Sequence, residues 1–110
     1  MITSRPANKP FGGFYEFPGG KVKKNEFLIE ALKRELNEEL SIKININKLI
    51  FLFSYQVQRR REIINLNFFS LDSWYGKIEA LENQKVKWIR FSEIKDFKML
   101  SSNKKIINFL

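Results

Sequence analysis

Cysteine and histidine are both missing from the 110 residues of this chain. Without thiols there is no disulfide, no cysteine nucleophile and no thiolate metal site. Without imidazole the Ser-His-Asp and Cys-His arrangements of nucleophilic catalysis are excluded, and the common zinc sites go with them. A metal bound here must sit on carboxylate, carbonyl and water oxygen, a donor set that suits Mg²⁺, or Mn²⁺ in its place. An enzyme made of these residues therefore runs its chemistry on carboxylates and a hard cation. Lack of cysteine leaves the compartment open. The sequence has no apolar run of membrane-spanning length, no secretory leader pattern and no internal repeat, so the expectation is a soluble, cytoplasmic protein without a membrane partner. With 44% apolar residues, including eleven Phe, three Tyr and two Trp, residues 1–110 suffice for one domain with a real core.

What the sequence does have is concentrated in residues 19–42, GGKVKKNEFLIEALKRELNEELSI. At about 100° per residue Leu28, Ala31, Leu32 and Leu36 share one arc of a helix, the face expected to pack inward. Glu35 and Glu39 fall within that arc, and Glu38 lies at its edge beside Ala31, because positions three and four apart are neighbours. A merely solvated helix would carry its acids on the opposite face. Clustered carboxylates at a partly buried surface repel one another and lose hydration, so they must protonate or share a cation. A bound divalent metal is the economical reading.

The segment resembles the Nudix box, the signature of a hydrolase family written GX5EX7REUXEEXGU with U aliphatic. Gly20, Glu26, Arg34, Glu35, Leu36, Glu38, Glu39 and Ile42 match. Ser41 stands where the family has glycine, at a helix end that favours the left-handed conformation, so a strained or shifted terminus is expected there. The resemblance implies the α/β Nudix fold, an α/β/α sandwich around a mixed β-sheet, and metal-dependent hydrolysis of a nucleoside diphosphate linked to another moiety. It implies that Glu35, Glu38 and Glu39 hold Mg²⁺ with the Gly19 carbonyl, that one carboxylate takes a proton, and that Arg34 orients the glutamates. Glu26, following Asn25 as the expected N-cap, is open between a helix-start acid and a member of the catalytic shell.

Within that family the similarity is to enzymes of the MutT type, which convert 8-oxo-dGTP to 8-oxo-dGMP and pyrophosphate. Glu16, Phe17, Pro18 and Gly19 match their EFPG lead-in, and Phe17 is the candidate for stacking on a base. Arg5 falls where they place a base- or ribose-contacting arginine, and Asn103 where they place the asparagine that meets the oxidised guanine. Glu82 falls where a loop glutamate joins the metal shell. The bland alternatives are a helix cap for Asn103 and an ordinary loop acid for Glu82. Pro10 departs from a histidine found in relatives, and the chain starts within what is usually the second strand, so the fold is expected to be N-terminally short with an open sheet edge. The competing functional readings are a Nudix enzyme for 5′-triphosphate RNA or dinucleoside polyphosphates, and a truncated, non-catalytic nucleotide-binding remnant.

Elsewhere the pattern predicts a strand over 1–4, a loop over 6–13, the box helix over 26–40, strands over 48–58 and 62–71 joined as a hairpin, a strand over 85–91, a turn or short helix over 92–97 and a helix over 102–110 with Ile106, Ile107 and Leu110 inward. Phe51, Phe53, Phe68, Phe69 and Trp88 are expected in the core. Arg59, Arg60 and Arg61 form a basic hairpin tip, read as a solvated end rather than part of the site. The formal net charge of +8 would attract polyphosphate by long-range steering, although a lysine-rich composition needs no functional cause. The expected partner is a small nucleotide; no stable nucleic-acid complex is expected, and the chain is read as a monomer.

Overall fold

Strand β1 (Ile2–Ser4) is the organising element, paired antiparallel on one side with β2 (Tyr15–Glu16) and on the other with β5 (Val86–Lys87). The computed structural model describes residues 1–109. Because side chains alternate across a strand, β1 feeds two cores. Met1 and, from β5, Val86 pack toward Leu36, Leu40, Ile42 and Ile44 on and after helix α1 (Leu28–Leu40). Ile2, only 1% exposed, joins Ile94 and Met99, with Tyr15, Phe17, Ile89, Phe97 and Ile107 around them. The second layer comprises the 3₁₀ turns Phe91–Asp96 and Ser101–Asn103 and helix α2 (Lys104–Phe109). Helices thus cover both faces of the sheet. Among the described residues the ladders are antiparallel, and a parallel bridge from Tyr15 to Met99 makes the sheet mixed.

The remaining strands, β3 (Ile50–Arg59) and β4 (Glu62–Ser70), form the expected hairpin, in register from Ile50 opposite Ser70 to Arg59 opposite Glu62, with a bulge between Phe51 and Phe53. Arg60, at φ 53°, makes the turn. Half-buried Phe53, Tyr55 and Val57 alternate with exposed Ser54, Gln56 and Gln58, so one face of the hairpin is covered and the other solvated.

Several sequence expectations shift. Helix α1 starts at Leu28, not at residue 26; Asn25 is no cap but a left-handed turn residue at φ 64°, and Phe27 occupies the N-cap without a side-chain bond. Leu28 in that first turn is exposed, while Ala31, Leu36 and Leu40 carry the buried face; each buried leucine stabilises the packing by roughly 1.5–3 kcal/mol. The strand expected over 85–91 is reduced to Val86–Lys87, because Trp88 turns out to stack on Trp74, centroids 5.7 Å apart, and Arg90 opens the next turn through its N–H to Glu93 Oε1 at 3.2 Å. Trp88 and Phe51 are consequently 62% and 54% exposed rather than core, Phe51 because the bulge breaks the alternation beside it. Ile106 is buried as expected, and Leu110 lies outside the described residues.

Candidate active site

Helix α1 ends where the sequence departs from the family pattern. Ser41 takes the left-handed conformation at φ 61°, ψ 24°, and its N–H still closes on Asn37 O at 3.0 Å. The chain thus adopts the glycine geometry with a serine, and the helix is terminated after Leu40. The acids that precede it keep their register.

Arg34 is the hub of the box. Its Nε donates to Glu26 Oε2 at 2.7 Å and its Nη2 to Glu26 Oε1 at 3.0 Å, a bidentate pair. Nη1 donates to Glu35 Oε1 at 2.7 Å and to Glu38 Oε2 at 3.1 Å, and Nη2 also reaches the Lys21 carbonyl at 2.9 Å. Glu26 is held down at about pKa 2, first by the hydrogen bond from Arg34 and then by the Lys23 N–H; Arg34 is raised in turn, chiefly by Glu26 and Glu35. Glu26 is therefore less a helix-start acid than the anchor that aims Arg34 along the helix. A Cβ at Gly20 would meet the Glu35 carboxylate, so a larger residue there would displace that carboxylate from Arg34.

Glu39 has a different environment. It is half-buried, its Oε2 accepts from the Gly19 N–H at 3.1 Å, and its pKa is pushed up to about 8, by burial first and then by the charge of Glu82, with Glu35 and Glu16 adding to the rise while the Gly19 N–H opposes it. Glu39, Glu82, Glu16 and Arg5 line one polar cleft of about 320 Å³ together with Thr3, Ser4 and Gln84. Arg5 is fixed in it by Nε to the Pro10 carbonyl at 2.7 Å and by Nη1 to Glu16 Oε2 at 3.3 Å.

The other expected substrate residues lie elsewhere. Phe17 and Pro18 line a second, apolar cleft of about 350 Å³ with Leu36, Leu52, Trp74 and Trp88. Phe17 also packs edge-on against Phe68. Asn103 lines neither cleft: it is buried, its Oδ1 accepts from the Phe17 N–H at 3.0 Å, and its amide nitrogen donates to Ser102 Oγ at 3.3 Å. It acts here as a brace that fixes the lead-in residue Phe17. Gln84 was not anticipated from sequence; it is buried in the cleft wall and bonded to the main chain of the box helix, a contact with no local sequence signal.

The donor chemistry suits a hard divalent cation: oxygen ligands only, and a half-buried carboxylate whose pKa is raised by burial and by the neighbouring acids Glu82, Glu35 and Glu16. The side chains are not yet gathered, since among the described residues no three acidic groups stand together as a ready cage. Glu35 and Glu38 are instead turned onto Arg34.

Comparison with known proteins agrees with this geometry. The model of the NUDIX domain matches residues 1–110. An 8-oxo-dGTP diphosphatase of Buchnera aphidicola subsp. Schizaphis graminum is 40% identical over 109 residues, covering 99% of this chain and 81% of that protein. A CTP pyrophosphohydrolase of Escherichia coli K12 is 34% identical over 88 residues, 80% of this chain and 64% of that protein. Among solved structures, one from a study of MutT from Aliivibrio salmonicida and Vibrio cholerae superposes with a TM-score of 0.82 at 27% identity, covering 97% of this chain and 80% of that one. With its box helix, its layered sheet and a family match along its whole length, the chain belongs to the Nudix family of hydrolases.

Proposed function

We propose that this Nudix enzyme is a pyrophosphohydrolase of the MutT type, hydrolysing 8-oxo-dGTP to 8-oxo-dGMP and pyrophosphate and so clearing the nucleotide pool of an oxidised precursor. The observation that carries the reading is the polar cleft in which Arg5, Glu16, Glu39 and Glu82 converge. Glu35, Glu38, Glu39 and Glu82, with the Gly19 carbonyl, would hold Mg²⁺ or Mn²⁺. A bound cation supplies neutralisation of polyphosphate charge and a more acidic water. The chain's own groups do the rest. Arg34, anchored by Glu26, holds Glu35 and Glu38, Glu39 is poised to hold or release a proton near neutral pH, and Arg5 offers a guanidinium edge to the nucleotide. Phe17, braced by Asn103, presents an aromatic ring beside the lead-in. Its substrate pool would place the enzyme in the cytoplasm, working as a monomer; no helix among the described residues is long and apolar enough to cross a membrane.

A second reading is a related enzyme for an unoxidised nucleotide such as CTP. It is favoured by the placement of Asn103, which lines neither cleft and holds the Phe17 N–H instead. Pyrophosphate release from 8-oxo-dGTP, dGTP and CTP, with Mg²⁺ and with EDTA, separates the two. Turnover that prefers 8-oxo-dGTP, needs the metal and disappears in Glu39→Gln is the expected result. A preference for CTP would replace the first reading by the second, and no turnover of any nucleotide by the folded chain would remove both.

A further inference from the structure

The C-terminal end of α1 leaves carbonyls that the helix cannot satisfy itself, and the loop over residues 79–84 supplies the partners. Glu79 N–H donates to Leu40 O and Leu81 N–H to Glu39 O, each at 2.9 Å. Gln84 adds a third attachment of another kind. Its side-chain Nε2 donates to the same Glu39 carbonyl at 3.0 Å, while its Oε1 accepts the Glu82 N–H at 2.8 Å. One buried amide thus ties the backbone of residue 82 to the backbone of residue 39, and the loop between them turns through Asn83 in the left-handed conformation at φ 58°. Both Glu82 and Glu39 line the polar cleft.

We infer that Gln84 is a positioning residue for the metal site: it sets the register of the 79–84 loop on the box helix so that the Glu82 carboxylate is presented opposite that of Glu39. The task needs a group that donates and accepts at once over the length of a glutamine side chain. An ionised glutamate cannot donate, leucine can do neither, and asparagine is one methylene short. The two main-chain bonds from Glu79 and Leu81 do not involve the side chain of residue 84. The loop then stays attached to the helix, and what is lost is the fixed orientation of residue 82. Groups that orient metal ligands from behind typically change metal affinity by about 10- to 100-fold when removed.

The inference rests on the metal-site reading above, and its test is therefore Mn²⁺ binding rather than turnover. Mn²⁺ titrations followed by electron paramagnetic resonance of the free ion are made on the wild type, Gln84→Leu, Glu82→Gln and the double variant, with near-ultraviolet circular dichroism to confirm folding. Gln84→Leu is expected to weaken Mn²⁺ binding about tenfold. In the Glu82→Gln background the same change is expected to cost nothing further, because Gln84 acts through Glu82. Should Gln84→Leu fail to fold, Gln84→Asn carries the same comparison. Equal losses in both backgrounds, the additive behaviour of independent sites, would overturn the positioning role, as would unaltered binding in a folded single variant. A wild-type chain that binds no Mn²⁺ would overturn the metal site itself and the role of Gln84 with it, whereas failure of the 8-oxo-dGTP assay alone would leave these titrations unchanged.

Discussion

Replacing Glu39 by glutamine should make the metal-free protein more stable in weak alkali while abolishing turnover. The carboxyl has an ordinary pKa of 4.5 and is pushed up to about 8 in the folded chain. In acid, below about 4.5, both folded and unfolded states carry it neutral and the raised pKa has its full stabilising effect. Between that point and about 8 the unfolded chain releases the proton and the folded one keeps it, so stability falls with rising pH. Above about 8 the folded chain bears an ionised group that is short of water and faced by Glu82. At 1.36 kcal/mol per pH unit the whole difference has a ceiling of about 5 kcal/mol; because the carboxylate reaches solvent through the cleft, screening brings this to about 2 kcal/mol. Glutamine can still accept the Gly19 N–H, and it removes the charge. Urea unfolding in EDTA at pH 5 and pH 8.5 checks this. Glu39→Gln should gain about 2 kcal/mol on the wild type at the higher pH and less at the lower. Added Mg²⁺ should restore the wild type only, by binding its folded state. Parallel pH profiles for the two proteins, or a less stable variant at pH 8.5, would refute the reasoning.

Two further outcomes follow from the box helix. Ser41→Gly should stabilise the fold by about 1 kcal/mol, since the residue already sits at φ 61°, which for a chain of this size raises Tm by roughly 4–8 °C; differential scanning calorimetry reads it directly, and a lower Tm would mean that the serine side chain contributes something the backbone geometry does not reveal. Arg34→Lys should lower kcat about tenfold or more, because an ammonium cannot grip Glu26 with two parallel bonds and reach Glu35 and Glu38 as well; steady-state pyrophosphate release measures it, and wild-type kcat in the lysine variant would show that charge alone suffices.

What was legible in the sequence was local. The spacing of Arg34, Glu35, Leu36, Glu38, Glu39 and Ile42 is fixed by a helix, so the family, the inward face at Ala31 and Leu36 and the half-burial of Glu39 could be read from residues a turn apart. The hairpin, too, announced itself through two β-rich stretches flanking an arginine triplet. What could not be read depends on partners distant in the chain. Gln84 meets Glu39 across 45 residues and Asn103 meets Phe17 across 86, and neither sequence neighbourhood hints at its counterpart. Trp88 belongs to the same class. Its alternating surroundings predicted an inward strand residue, yet Trp74 offered a flat indole face and the strand gave way after Lys87. Asn25 was a plausible cap by residue type, but Glu26 is drawn toward Arg34 and the turn before it closes in the left-handed region instead.

The Arg34 hub has a consequence for how the resting protein survives. One guanidinium sits among Glu26, Glu35 and Glu38, which makes it an internal counter-ion that offsets the mutual repulsion of the three carboxylates. A divalent cation held by Glu35 and Glu38 would have to replace Arg34 as their partner, while the two bonds from Arg34 to Glu26 would keep the guanidinium in place. Glu39 lies outside that arrangement, and burial and the charge of Glu82 push its carboxyl pKa up to about 8. The box thus keeps its acids in two ways, a shared guanidinium for three of them and a raised pKa for Glu39.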